Sequence, residues 1–315
     1  MIPEPISRII ENMKRVIVGR PEAIELAMVA VFCEGHILIE DIPGIGKTTL
    51  AKTLARSLGC SFRRIQCTPD LLPSDVTGIH FFNQKKSEFE FLPGPVISNI
   101  VLVDEINRAT PRTQSSLLEC MQERQVTVDG VTMPLPRPFL VIATQNPVEL
   151  HGTFPLPEAQ LDRFLLKLEI GYPTKEEEDI MLLRFERDNP LDSLPEVTSA
   201  AEILKLTQLA QEVYVEESVR HYILDIIGQT RINPSIELGA SPRASLALYR
   251  ACQSLAFVQG RDYVVPDDVK RLVVPVLGHR LILSSEAYLH NSSEESLIEG
   301  IMAAVPVPVE EQGQS

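Results

Sequence analysis

Two short stretches carry the residues best suited to chemistry. The first is Asp41-Ile42-Pro43-Gly44-Ile45-Gly46-Lys47-Thr48-Thr49, which follows the apolar run His36-Ile37-Leu38-Ile39-Glu40. Gly44 and Gly46 let backbone N–H groups close around an anion, and a helix starting near Lys47 would aim its N-terminal dipole at it. That pattern suits ATP with Mg²⁺: Lys47 reaches the β- and γ-phosphates, and the Thr48 hydroxyl ligates the cation. The strict pattern has glycine where this chain has Asp41. An acid so near phosphates is unfavourable unless it faces away. The second stretch is Asp104-Glu105, at the end of Ile100-Val101-Leu102-Val103. Ligands of open α/β sheets sit at the carboxyl ends of the strands. Adjacent strand residues point to opposite sides. Asp104 is therefore expected to face Mg²⁺ through its water shell, and Glu105 to face elsewhere and polarise an attacking water. Charge neutralisation and water positioning are what phosphoryl transfer requires.

These residues need a rigid frame. Residues 5–33 read as two helices broken near Val18-Gly19-Arg20-Pro21, where Pro21 suits a first helical turn. Strands are expected at 36–40, 62–66, 100–103, 139–143 and 165–170, with helices at 48–58 and 111–122. Short apolar strands alternating with helices predict a parallel sheet covered on both faces. Two segments break that rhythm. His80-Phe81-Phe82 and Glu88-Phe89-Glu90-Phe91 flank a polar turn, and Gln125–Val128 and Val131–Met133 flank Asp129-Gly130, so each reads as a β-hairpin. After residue 172 the periodicity is helical, near 175–187, 199–211, 216–229, 243–258 and 266–276, with a capping-box spacing at Thr174 and Glu177. The expected division is 1–171 for the α/β core, 172–283 for an all-helical second domain, and 284–315 for a polar tail. The tail holds one short helix near 294–303 and a disordered end from Glu310 to Ser315.

Composition narrows the classes. At 315 residues the chain is long enough for about two domains. The net charge is −14, with 29 Lys+Arg against 43 Asp+Glu, and Lys85-Lys86 is the nearest approach to a basic run. Nucleic acid is therefore not an expected partner. Five widely spaced cysteines without C-x-x-C predict reduced thiols. Met1-Ile2-Pro3-Glu4-Pro5 does not open a signal peptide, and no apolar run is long enough to span a membrane, so a cytoplasmic protein is expected. The six histidines show no metal-ligand spacing.

With the phosphate loop and the acid pair placed, the chain resembles the AAA+ ATPases and, within them, the MoxR family. Further stretches carrying the likeness are Val16-Ile17-Val18-Gly19, Leu102 to Ala109, Ala143-Thr144-Gln145-Asn146-Pro147, Leu156 to Phe164 and Leu277-Gly278-His279-Arg280. The resemblance implies a P-loop NTPase fold: a three-layer αβα core with a parallel sheet and two hairpin insertions, then an all-α lid. It also implies that an acid at Asp41 is tolerated. Asn146 resembles the sensor residue that orients the attacking water. Arg163 resembles an arginine finger inserted into a neighbouring subunit's site, and Arg243 a second sensor acting in cis or in trans. Local physics agrees at Arg243. Ser241 and Pro242 suit a helix start, and a cation in that first turn opposes the dipole unless an anion compensates. The family likeness further implies a homo-oligomeric ring, a hexamer, that remodels client proteins. Those clients often carry von Willebrand factor A domains and metal centres. In that branch the hairpins work on the substrate or partner. A nucleic-acid motor or chelatase-type subunit of the same branch, or a non-catalytic nucleotide-gated scaffold, are the alternative expectations.

Overall fold

The computed structural model describes residues 2–146 and 152–308. Pro147, His151 and the expected disordered end at Glu310–Ser315 lie outside the described residues. In chain order the elements are α1 (Glu4–Lys14), α2 (Pro21–Phe32), β1 (Ile37–Glu40), α3 (Lys47–Ser57), β2 (Phe62–Gln66), α4 (Pro73–Thr77), β3 (Gly78–Asn83), β4 (Glu88–Pro93) and β5 (Ile100–Asp104). Next come α5 (Pro111–Glu123), β6 (Gln125–Val128), β7 (Val131–Pro134), β8 (Leu140–Gln145), α6 (Glu158–Leu161) and β9 (Leu166–Leu168). The helical part holds α7 (Lys175–Arg184), α8 (Ala200–Gln211), α9 (Glu217–Ile232), β10 (Ile236–Leu238), α10 (Pro242–Val258), α11 (Pro266–Leu277), β11 (Ile282–Leu283), α12 (Ser285–Leu289) and α13 (Glu294–Ala304).

Five strands form one parallel sheet in the order β2-β5-β8-β1-β9. Its two faces explain the continuous apolar runs. Ile100 and Leu102 of β5, with Ile37 and Ile39 of β1, join the core under α1, α2 and α3. Val101 and Val103, with Leu38, join the core under α5 on the other face. Alternate residues of one strand thus serve opposite layers. This is a P-loop αβα fold followed by a helical lid. Lid helices α8 to α11 bury Leu206, Tyr222, Leu248 and Leu272 in the same core as α2.

The order puts β8 between β1 and β5. The loop after β1 and the acids at the end of β5 therefore open at the same carboxyl end of the sheet, with the end of β8 between them. Strand β9 is shorter than the expected 165–170. The backbone N–H groups of Ile170 and Gly171 leave the ladder and donate to the Asp41 carboxylate, each at 2.7 Å. The expected polar tail is also more built than its composition foretells. It forms two helices, and Ile298, Ile301 and Val305 are buried in the lid core.

Both expected hairpins form. The second turns at Asp129 and Gly130 with φ of 50° and 81°, the pair of positive values a tight two-residue turn needs. The hairpins touch, because His80 Nδ1 lies 2.9 Å from Asp129 Oδ2. Phe81, Phe82 and Phe89 remain exposed, while Phe91 is half-buried against the His80 ring. A thin two-stranded ribbon has too little interior to cover four phenylalanines.

His36, at the start of β1, ties the sheet to α5. Its Nδ1 accepts from the Val141 N–H and its Nε2 donates to the Met121 carbonyl, both at 3.0 Å. Those bonds require the neutral ring, and burial draws the pKa down to about 4. Above about pH 6.5 the ring is neutral in both folded and unfolded chains, so nothing is lost. As pH falls from 6.5 toward 4 only the unfolded chain takes up the proton, and up to about 3 kcal/mol of stability is lost before the effect saturates. In a His36→Gln variant, urea midpoints measured across that window should fall less steeply than the parent's.

Candidate nucleotide site

The phosphate loop is held open by its backbone. Gly44 and Gly46 have φ of 88° and 94°, and a Cβ on either would meet nothing within 4 Å. Glycine is required there for its conformation, since L-residues rarely adopt such φ values, and the loop's backbone faces free space. Gly46 caps α3, whose first residues are Lys47, Thr48 and Thr49. Asp41 resolves its own difficulty. One carboxylate oxygen accepts from the Ile42 N–H at 2.9 Å and the other from Ile170 and Gly171. Three backbone N–H groups thereby engage its charge, and its carbonyl accepts from Lys47 Nζ at 2.5 Å. Burial draws the Lys47 ammonium below its ordinary pKa, against the opposing pull of Asp41, Asp104 and Glu105. A phosphate would supply the counter-charge.

Lys47, Thr48, Thr49, Asp104, Glu105 and Asn146 line one cavity together with Pro43, Gly44 and Gly46. Strand alternation is not what aims Glu105. Strand β5 stops at Asp104, and Glu105 takes a left-handed conformation with φ 56° and ψ 52°. That conformation is costly for a residue with a side chain, and such strain gathers at functional sites. Its N–H donates to Thr144 Oγ1 at 3.0 Å, and Thr144 Oγ1 donates to Asp104 Oδ1 at 3.3 Å. Thr144, on the intervening strand β8, thus clips the two acids so that both carboxylates face the cavity. The Glu105 carboxylate also meets Gln66 Nε2 at 3.1 Å and Arg108 Nε at 3.3 Å. The Thr48 hydroxyl and the Asp104 carboxylate are hard oxygen donors on one cavity, a set that fits a small divalent cation retaining most of its waters. Among the described residues, no three or more His, Cys, Asp or Glu side chains come together as a metal site.

A second, mainly apolar pocket adjoins the first, sharing Pro43, Gly44, Gly46 and Thr49. Val16, Ile17 and Val18 between α1 and α2, with Ile45, Tyr172 and Met181, form its walls. Its size and apolar lining beside the phosphate loop suit a planar base.

Arg163 and Arg243 are not in either pocket. Both line a separate cavity with Arg124, Arg250 and Arg280. The anion that compensates Arg243 at the start of α10 is Asp162, 3.9 Å away, which also accepts from Ser241 Oγ at 3.2 Å and Arg280 Nε at 2.8 Å. Arg280 is buried and donates to the carbonyls of Phe164 and Leu165 at 2.5 and 2.9 Å, fixing the segment that carries Arg163. Burial lowers the Arg280 pKa, opposed by its Asp162 bond. Arg163 Nε is buried without a hydrogen-bond partner among the described residues.

Arg64, Gln66, Thr144 and Arg280 acquire places here that no motif assigned. Thr144 and Arg280 lie inside stretches that carry the family likeness. Arg64 and Gln66 read in sequence only as polar positions on a short strand.

A phosphate loop, an acid pair on the third strand of a parallel sheet and a helical lid define a P-loop ATPase. Residues 36–166 match the family model "ATPase family associated with various cellular activities (AAA)", and residues 228–301 match an AAA lid domain. The chain is 49% identical to the protein YeaC of Bacillus subtilis, over 97% of this chain and 95% of that one. It is 42% identical to Chaperone MoxR1 of Mycobacterium tuberculosis, over 98% and 85%. A crystal structure from Cytophaga hutchinsonii, described as an ATPase, superposes with a TM-score of 0.91 at 41% identity, covering 97% of this chain and 95% of that one. The chain belongs to the MoxR family of AAA+ ATPases, and it is an ATP hydrolase.

Proposed function

We propose that ATP binds with its phosphates on the loop Gly44–Thr49 and its base in the apolar pocket beside Ile17 and Met181. Lys47 pairs with the β- and γ-phosphates. Thr48 and Asp104 would hold Mg²⁺, which neutralises phosphate charge when bound. Glu105 draws a proton from the attacking water and Asn146 orients that water. Arg163 arrives from a neighbouring subunit to meet charge developing on the γ-phosphate, and Arg243 acts beside it. One observation carries this reading: the loop, both acids and Asn146 share a cavity, while both arginines line another. A chain that holds the two halves of a catalytic site apart completes them by head-to-tail contact with a second copy. Helix α7, which flanks the base pocket, supports this. It has no buried residue, and Leu182 and Leu183 are 73% and 66% exposed. A second copy is the occupant that would cover them. The assembly is a ring, taken as a hexamer, with a core of 1–171, a lid of 172–283 and a C-terminal segment from 284.

The energy of hydrolysis is spent on a client protein. The relative named as a chaperone and the exposed phenylalanines of the β3–β4 hairpin support a chaperone-like role. The proposed setting is the cytoplasm, and the proposed clients are those the family resemblance implies, von Willebrand factor A domain proteins whose metal centres need assembly. The net charge of −14 disfavours a nucleic-acid client. Lys47→Ala tests the site itself. Titration with a fluorescent ATP analogue should show affinity more than about tenfold weaker, since a charge-assisted contact is lost. Equal affinity would remove the loop from the nucleotide site.

A further inference from the structure

Strand β2 is the edge of the sheet, and in register it places Arg64 beside Leu102 and Gln66 beside Asp104. Both side chains line the nucleotide cavity. Arg64 Nε lies 2.5 Å from Asp104 Oδ2, and its Nη2 donates to Gln66 Oε1 at 3.0 Å. Asp104 is nearly covered, while the Arg64 side chain is 51% exposed. The other Asp104 oxygen accepts from Thr144. Both oxygens of the carboxylate are therefore engaged, one of them by a positive charge. A guanidinium and a divalent cation repel each other, so they compete for that oxygen.

We propose that Arg64 is the resident counter-ion of Asp104 in the nucleotide-free site and is exchanged for the divalent cation when nucleotide binds. Arg64 thereby sets the Mg²⁺ concentration at which nucleotide is retained. This rests on the reading of Asp104 as the residue that holds Mg²⁺. Arg64 is a positioning residue in this scheme, acting through Asp104.

The test uses the full chain and a fluorescent ATP analogue at fixed concentration, titrated with Mg²⁺ from a chelated start. In Arg64→Met the half-saturating Mg²⁺ should fall about three- to fivefold, in keeping with the modest strength of a half-exposed ion pair. In Arg64→Lys, which keeps the charge, it should stay within about twofold of the parent. An unchanged or higher Mg²⁺ midpoint in Arg64→Met overturns the exchange. So does weaker binding at saturating Mg²⁺ without a shift of the midpoint, the mark of a purely structural role. A parent chain that binds no nucleotide at any Mg²⁺ overturns the nucleotide site together with this inference. A parent that binds while Arg64→Met matches it overturns the exchange alone.

Discussion

Glu105→Gln is expected to slow ATP hydrolysis by about 100- to 1,000-fold while nucleotide binding persists, the size expected for loss of a positioned general base. Glutamine is nearly isosteric with glutamate. It can still accept from Gln66 Nε2, but it cannot take a proton from water. The left-handed backbone at residue 105 and its bond to Thr144 Oγ1 do not depend on the side chain, so the turn after β5 should keep its shape. Lys47 remains in place for the phosphates, and Thr48 and Asp104 for the cation. Steady-state turnover and nucleotide affinity measured on the same preparation separate the two effects. Turnover equal to the parent's would remove Glu105 as the water-activating group.

Arg163→Ala is expected to lower turnover in the assembled protein by about 10³-fold or more, the range found for residues that neutralise transition-state charge in phosphoryl transfer. Affinity for ATP should stay within about threefold of the parent, because the arginine acts on charge that develops during reaction. The fold should tolerate the change. Arg163 Nε makes no hydrogen bond among the described residues, and the segment is held from outside by Arg280 through Asp162, Phe164 and Leu165. Far-UV circular dichroism and the thermal midpoint would confirm that. A variant that keeps its turnover in the assembled state would contradict the proposed role.

The parts legible in sequence are those whose signal is local. Ile100 to Val103 and Leu140 to Ala143 announce buried strands because both faces of each are covered. Asp129-Gly130 announces a turn through its backbone conformations, and Ser241 and Thr174 announce helix starts through bonds to N–H groups three residues on. Contributions fixed by distant partners stayed hidden. Asp41 reads as an intruder in a glycine position until Ile170 and Gly171, some 130 residues later, supply its partners. Arg64 reads as a polar strand position until sheet order sets β2 at the edge, against β5. Elements too short for periodicity were also invisible. Among them are α4, α6, α12 and the pairing of Ile236 with Leu283, which joins residues far apart in the chain. The separation of Arg163 from Lys47 was expected only through the family resemblance, because no local signal places an arginine outside its own phosphate site.

The most direct test of a site shared between subunits is to mix Arg163→Ala with Glu105→Gln at equal amounts under conditions where both assemble. Each alone should be nearly inactive. In a mixed head-to-tail ring, about one interface in four joins an intact Glu105 from one subunit to an intact Arg163 from the next. Turnover should therefore rise to about a quarter of the parent's. Mixed assemblies as inactive as their components would contradict the account, because the arginine would then be acting within its own chain or not at all.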